Sequence, residues 1–162
     1  MKILNFLTAS LLFVACNAQK TSSIIPTDTA NVMKYNELTP QEERVLLYKA
    51  TDPPFTGEMY NSKVEGIYLC RMCNNPLYTS EDKFDSHCGW PSFDQEIAGS
   101  VDRVPDADGY RTEIICTNCK GHLGHVFLGE KFTSKNTRHC VNTSSLKFFT
   151  KEEMDSLPQV IK

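Results

Sequence analysis

Seven cysteines in 162 residues carry the first chemistry of this chain, and their spacing sorts them. Cys70-x-x-Cys73 and Cys116-x-x-Cys119 are two pairs, Cys88 and Cys140 stand outside them, and Cys16 lies near the N-terminus. Each pair follows a strand-like run and precedes turn residues, so both thiolates of a pair can reach one ion. Two such pairs close a four-sulfur tetrahedral site with no open position, which makes zinc the expected ion and its role structural. Two disulfides are the competing reading, as is a thioredoxin-like redox motif, although no βαβ pattern surrounds either pair. A site with His122 or His125 in place of one thiolate is a further variant.

Cys140 sits in Arg138-His139-Cys140-Val141-Asn142, a run of strand-like composition. Alternation along a strand puts Arg138, Cys140 and Asn142 on one face and His139 and Val141 on the other. A cation beside a thiol favours the thiolate, the form that attacks. Cys88 opens Cys88-Gly89-Trp90, which contains the only tryptophan. A static Cys88–Cys140 disulfide is the plain expectation for an exported protein. A redox couple, in which one thiol attacks and the other resolves, better explains the polar neighbours Arg138 and Asn142. His122 and His125, three apart and next to Gly121 and Gly124, suggest proton transfer or an oxygen-binding pair. Trp90 is either core or a ring for a methyl-sulfur group, which packs well against aromatics.

The elements that must position these residues are short. Charge is nearly balanced, with 17 basic and 20 acidic residues and a net charge of −3. No Lys/Arg block is present, which argues against a nucleic-acid partner. Frequent Pro and Gly with little helical periodicity predict a mainly β domain with many turns. Thr39-Pro40-Gln41-Glu42 has the spacing of a capped helix start, and the helix must stop before Asp52-Pro53-Pro54. Strands are expected at Gly57–Tyr60, Gly66–Leu69, Val101–Val104, Tyr110–Ile115 and around Cys140, with Leu146–Phe149 as a closing segment. Thr150 and Glu153 repeat the capping spacing and predict a short helical turn.

Residues 1–15 hold one cation, Lys2, then an apolar run too short to span a membrane, which suits a signal peptide. The run ends in Phe13-Val14-Ala15-Cys16, which resembles the lipobox of bacterial lipoproteins, whose cysteine is lipidated. An ordinary secretory signal cleaved a few residues later is the alternative. Residues 16–34 are polar and read as a linker, and 35–162 as the folded domain. The expected location is outside the cytoplasm, anchored by lipid at Cys16 to a bacterial membrane and facing the periplasm or the exterior.

From about Tyr35 to Phe149 the chain resembles the methionine-R-sulfoxide reductase (MsrB) family. The matching segments are Leu38-Thr39-Pro40, Pro53-Pro54-Phe55-Thr56-Gly57, both C-x-x-C pairs, Cys88-Gly89-Trp90-Pro91-Ser92-Phe93, Gly121-His122-Leu123-Gly124-His125-Val126-Phe127 and Arg138-His139-Cys140-Val141-Asn142. The resemblance implies two antiparallel β-sheets with a few short helices, and zinc held away from the active site by Cys70, Cys73, Cys116 and Cys119. It implies Cys140 as nucleophile and Cys88 as the resolving cysteine, with Arg138 favouring the thiolate. Trp90 would hold the substrate methyl group with Phe127 also binding substrate, and His122, His125 and Asn142 would line the sulfoxide site. The substrates would be proteins or peptides carrying methionine-R-sulfoxide, and the reductant a thioredoxin-like protein. The reading from another class is a zinc-stabilised binding module of similar fold, which would have no reason to keep Cys140, Cys88, Trp90 and both histidines together.

Overall fold

The computed structural model describes residues 35–162. The signal segment, Cys16 and the linker lie outside the described residues. The domain is mainly β, built from two antiparallel sheets and a few short helical segments. One sheet has three strands in the order β2-β1-β9: β1 is Gly66–Cys70, β2 Pro76–Thr79 and β9 Leu146–Thr150. The other has six strands in the order β3-β4-β8-β7-β6-β5. Here β3 is Lys83–Phe84, β4 Ser92–Phe93, β5 Val101–Pro105, β6 Thr112–Cys116, β7 His122–Leu128 and β8 Thr137–Val141.

Aromatic side chains join the sheets. Tyr78 of β2 stacks on Phe93 of β4 at 4.3 Å between ring centroids, and Tyr68 of β1 meets Phe93 edge-on at 4.9 Å. All three rings are fully buried, and such offset and edge contacts add to the area they remove from water. The chain passes from the larger sheet to the smaller through a single 3-10 turn, Thr143–Ser145, between β8 and β9. The residues just after Cys140 are therefore held from both sheets.

Helix α1, Pro40–Leu46, begins as expected. Thr39 Oγ1 accepts from the Glu42 N–H, the Glu42 carboxylate accepts from the Thr39 N–H, and Pro40 occupies the first turn. Its buried face is Val45 and Leu46. The capping spacing of Thr150 and Glu153 likewise starts a 3-10 helix, Lys151–Ser156.

Two strand expectations need correction. Gly57–Tyr60 is a turn region, not a strand. Pro53 and Pro54 offer no N–H to a ladder, and Phe55 and Gly57 both adopt positive φ, 62° and 79°. The carbonyls of Tyr60 and Ser62 are taken by Lys83 Nζ at 3.0 and 2.9 Å rather than by a neighbouring strand. The strand expected from Tyr110 begins two residues later, because the Asp108 carboxylate accepts both the Tyr110 and Arg111 N–H groups and keeps them in the turn.

Candidate active site and metal centre

The two C-x-x-C segments fold alike. In each, the first cysteine's carbonyl accepts from the N–H four residues on, Asn74 at 2.9 Å and Lys120 at 2.8 Å. Those two residues have φ of 62° and 61°, so both knuckles close through a left-handed residue. Each first cysteine also donates its N–H to the carbonyl five residues on, Asn75 and Gly121. The result brings all four sulfurs within 4.8 Å of one another, with Cys70–Cys119 and Cys73–Cys116 each at 3.6 Å. A zinc–sulfur bond of ~2.3 Å gives a tetrahedral edge of about 3.8 Å, so the donor set fits the ion. Four thiols so close cannot all ionise unaided. Cys116 is pushed down to about 7, chiefly by its hydrogen bond with Cys119, while Cys119 is driven up, chiefly by Cys116. A divalent cation bound by all four would remove that conflict.

Cys140 lies near the end of β8, between Ser92 of β4 and His125 of β7. The alternation holds: His139 and Val141 are fully buried in the core, and Cys140 faces the other way. Gly124, beside it on β7, has no room for a side chain, because a Cβ there would collide with the Cys140 carbonyl oxygen. Cys88 arrives on the loop between β3 and β4, its sulfur 3.7 Å from that of Cys140 with no bond between them. Ser86 Oγ donates to Cys88 Sγ at 2.9 Å, and Ser86 also pairs with the buried Ser92 Oγ at 2.7 Å. Gly89 follows at φ 93°, and a Cβ there would press on Pro54 and on the Phe55 nitrogen.

The two thiols share their protons. Cys88 is pushed down to about 4, first by the hydrogen bond from Cys140, with Ser86, the Trp90 backbone and Ser92 adding to it against the cost of burial. Cys140 is raised, first by that same bond and then by burial, while Arg138 pulls it down. The pair thus loses one proton easily and holds the second. Arg138 is itself paired, donating from Nε and Nη2 to the Glu130 carboxylate at 2.7 and 2.9 Å, with its guanidinium 4.3 Å from the Phe127 ring centroid.

A pocket of about 120 Å³ opens beside Cys140, lined by Thr51, Trp90, Arg111, Gly124, His125, Phe127, Cys140 and Asn142. Cys140, Trp90, His125, Phe127 and Asn142 of the expected site residues thus meet at one place. Cys88 is not part of the lining and stands behind Cys140. His122 is not part of it either. Its ring packs edge-on to His125, 5.6 Å between centroids, and its Nδ1 lies 2.7 Å from Glu113 Oε1. His125 Nε2 pairs with Asp106 Oδ2 at 2.5 Å, and Arg111 contacts both Asp106 and Asp108. The Asn142 side chain is anchored at both polar atoms: Oδ1 accepts from the Asp52 N–H at 2.9 Å and Nδ2 donates to the Leu123 carbonyl at 3.2 Å.

Sequence reading missed Asp52, Glu113, Asp106, Arg111 and Glu130. Asp52 is buried and ties three site segments together. Its carbonyl accepts from the Trp90 indole at 2.9 Å, and its carboxylate accepts from Ser144 N, Ser144 Oγ and Gln41 Nε2. In the sequence it is visible only as the acid before two prolines. Glu113 did offer a signal, being the one acid in the otherwise uncharged run Thr112–Cys116.

Comparison with known proteins fits this geometry. Residues 38–150 match the SelR domain family. The chain is 51% identical over 112 residues to "Peptide methionine sulfoxide reductase B5" of Oryza sativa subsp. japonica, covering 68% of this chain and 82% of that protein. It is 53% identical over 112 residues to the chloroplastic reductase B2 of Arabidopsis thaliana, covering 68% of this chain but only 55% of that longer protein. Against reductase B7 of the same plant it is 45% identical over 137 residues, covering 81% of this chain and 94% of that protein. With the SelR match spanning most of the chain and carrying both C-x-x-C pairs, Cys88 and Cys140, the protein belongs to the SelR-domain family of B-type peptide methionine sulfoxide reductases.

Proposed function

We propose that the chain reduces methionine-R-sulfoxide in peptides or proteins to methionine, with Cys140 as nucleophile and Cys88 as resolving thiol. The observation that carries this reading is that Cys140 alone of the pair lines a pocket walled by Trp90 and Phe127, while the Cys88 sulfur waits 3.7 Å away. A methyl-sulfur group packs favourably against such rings.

The hydrogen between the two sulfurs passes from Cys140 to Cys88, Cys140 as thiolate attacks the sulfoxide sulfur, and a proton reaches the oxygen, relayed by His125 on the pocket wall. The oxygen passes to Cys140 as a sulfenic acid and methionine leaves as the thioether. Two electrons have moved from the cysteine sulfur to the methionine sulfur. The Cys88 thiolate then attacks Cys140, the hydroxyl departs with a proton as water, and a disulfide forms. The two sulfurs must close to about 2.05 Å, a movement within the reach of side-chain rotation. Turnover then needs an external dithiol of thioredoxin type to reduce the disulfide. Arg138 balances the charge at Cys140, and Asn142 and Asp52 hold Trp90 and the β7 backbone in register.

The reading includes one structural zinc on Cys70, Cys73, Cys116 and Cys119, whose donor set is closed to substrate. It also includes export and a lipid anchor at Cys16, supported by the apolar run that ends there. Separate assays of R- and S-methionine sulfoxide with dithiothreitol as reductant test the function. Turnover of the R epimer alone is expected, and turnover of the S epimer alone, or of neither, overturns the reading.

A further inference from the structure

Behind the pocket wall, a chain of three charged or titratable groups runs inward from exposed Lys49 through buried Glu113 to buried His122 and ends in an atom with no partner among the described residues. Lys49, in the segment after α1, donates from Nζ to Glu113 Oε2 at 2.7 Å. Glu113, 1% exposed, places its other oxygen 2.7 Å from His122 Nδ1. His122, 3% exposed, leaves Nε2 buried and without a hydrogen-bond partner among the described residues. A buried polar atom without a partner is costly to keep, and this one lies next to the pocket-lining His125.

The proton positions follow from the partners. Burial works to raise Glu113, but the hydrogen bonds from Lys49 and His122 outweigh it and hold Glu113 as a carboxylate. Burial pushes His122 down, against Glu113 and together with the facing His125 and Lys49. A neutral imidazole beside a carboxylate must carry its hydrogen on Nδ1. The orphaned Nε2 is then a lone pair.

We propose that Glu113, braced by Lys49, is a positioning residue for the reaction: it fixes His122 as the Nδ1–H tautomer, so that Nε2 accepts the hydrogen of a water passing protons to the His125 wall of the pocket. The logic is that of a carboxylate orienting a catalytic imidazole. The inference rests on the reductase reading of the pocket, but its first test does not. Imidazole nitrogen NMR of the intact protein at neutral pH should find hydrogen on Nδ1 of His122, and hydrogen on Nε2 would overturn the proposal whatever the enzyme turns over. Glu113→Gln, whose amide can donate to Nδ1 as well as accept from it, should mix the tautomers. It should slow sulfoxide reduction by about tenfold to a hundredfold, part of the ~10²–10⁴ that a proton-transferring group supplies, with KM unchanged. Glu113→Asp should recover part of the rate. Lys49→Met, at an exposed position that tolerates change, tests the brace without emptying the core and should shift the acid limb of the kcat profile to higher pH, because Glu113 then protonates more readily. An unchanged kcat profile in Lys49→Met together with an unchanged tautomer in Glu113→Gln would leave Glu113 a purely structural acid. If the wild-type protein turns over no sulfoxide while His122 keeps hydrogen on Nδ1, the reductase reading fails and the tautomer assignment stands.

Discussion

Trp90 hangs from Asp52: its indole nitrogen donates to the Asp52 carbonyl oxygen at 2.9 Å, while the Asp52 N–H is held by Asn142 Oδ1 at 2.9 Å. One residue therefore sets the distance between the aromatic wall of the pocket and the segment that follows Cys140. Its carboxylate also fixes Ser144, at the turn where the chain changes sheets.

Asp52→Ala keeps those two backbone bonds but strips the partner from Ser144 N, Ser144 Oγ and Gln41 Nε2. Each unpaired group costs on the order of 1 kcal/mol or more, so a loss of about 2–4 kcal/mol is expected. As the only tryptophan, Trp90 reports the local change through its fluorescence. Urea unfolding followed at Trp90 should show the lower midpoint, and KM should rise more than kcat falls. A variant with wild-type midpoint and KM would mean that Asp52 is not the hub.

His139, fully buried behind Cys140, gives a second expectation. Its Nδ1 lies 3.0 Å from the Tyr78 hydroxyl, its Nε2 3.1 Å from Arg103, and Glu96 is also close. Burial first, with Arg103 helping and Glu96 and Asp94 opposing, pushes it down to about 4. In the unfolded chain the value returns to about 6.5. Between those values the unfolded state binds a proton that the folded state refuses, so stability rises with pH. The contribution, about 3 kcal/mol, is fully present above pH ~6.5 and lost as pH falls to about 4. His139→Gln should flatten the difference between unfolding free energies measured at pH 4 and pH 7, even if both values drop. An unchanged slope would assign the acid sensitivity elsewhere.

How far residues announce their roles depends on whether the role is local. The Thr39–Glu42 capping box is complete within four residues and was legible. So were the two cysteine knuckles, whose geometry repeats over six residues each, and the alternation that separates Cys140 from His139. Glu113 and Asp52 act through partners 64, 9 and 90 positions away, Lys49, His122 and Asn142, and no local pattern marks such a pairing. The Gly57–Tyr60 strand failed for a related reason. Its composition suits a strand, but the carbonyls of Tyr60 and Ser62 are claimed by Lys83, some 21 to 23 residues on.

The four-cysteine cluster also fastens both ends of the domain. Ile161 donates its N–H to the Cys73 carbonyl at 2.9 Å, and the Asn36 N–H bonds the Met72 carbonyl at 2.9 Å. Purified protein should carry one zinc per chain. Stripping it with a chelator, or replacing Cys73 with Ser, should unfold or strongly destabilise the domain, because binding energy at a structural zinc is folding energy. Limited proteolysis should then cut first near residues 35–38 and 157–162. Protein isolated without metal, with these four cysteines oxidised, would count against the zinc reading.

At the N-terminus, the apolar run ending at Ala15 and the cysteine after it lead to an expectation of cleavage before Cys16 and lipid on its sulfur. Mass spectrometry of the mature chain from the native cell decides the matter. An unmodified N-terminus downstream of Cys16 would make the protein an ordinary secreted one.

The thiol pair gives the most direct test of mechanism. Cys140 is raised chiefly because Cys88 sits against it, and Arg138 works the other way. Cys88→Ser removes the neighbouring thiolate and leaves Arg138 to act alone, so Cys140 should ionise at lower pH than in the wild-type protein. Alkylation by iodoacetamide, with the modified residue assigned by mass spectrometry, should therefore begin with Cys88 in the wild type and reach Cys140 at lower pH in the variant. The same variant should complete one reduction and accumulate a sulfenic acid on Cys140, trapped by a dimedone-type reagent. Its repeated turnover should fail with a thioredoxin-type donor and partly recover with a small dithiol that can reach the sulfenic acid directly. Cys140→Ser should be inactive under every condition. Normal turnover of Cys88→Ser with the thioredoxin-type donor would remove Cys88 from the resolving role. Activity retained by Cys140→Ser would mean the nucleophile lies elsewhere, and the 3.7 Å approach of the two sulfurs would then be that of a static pair.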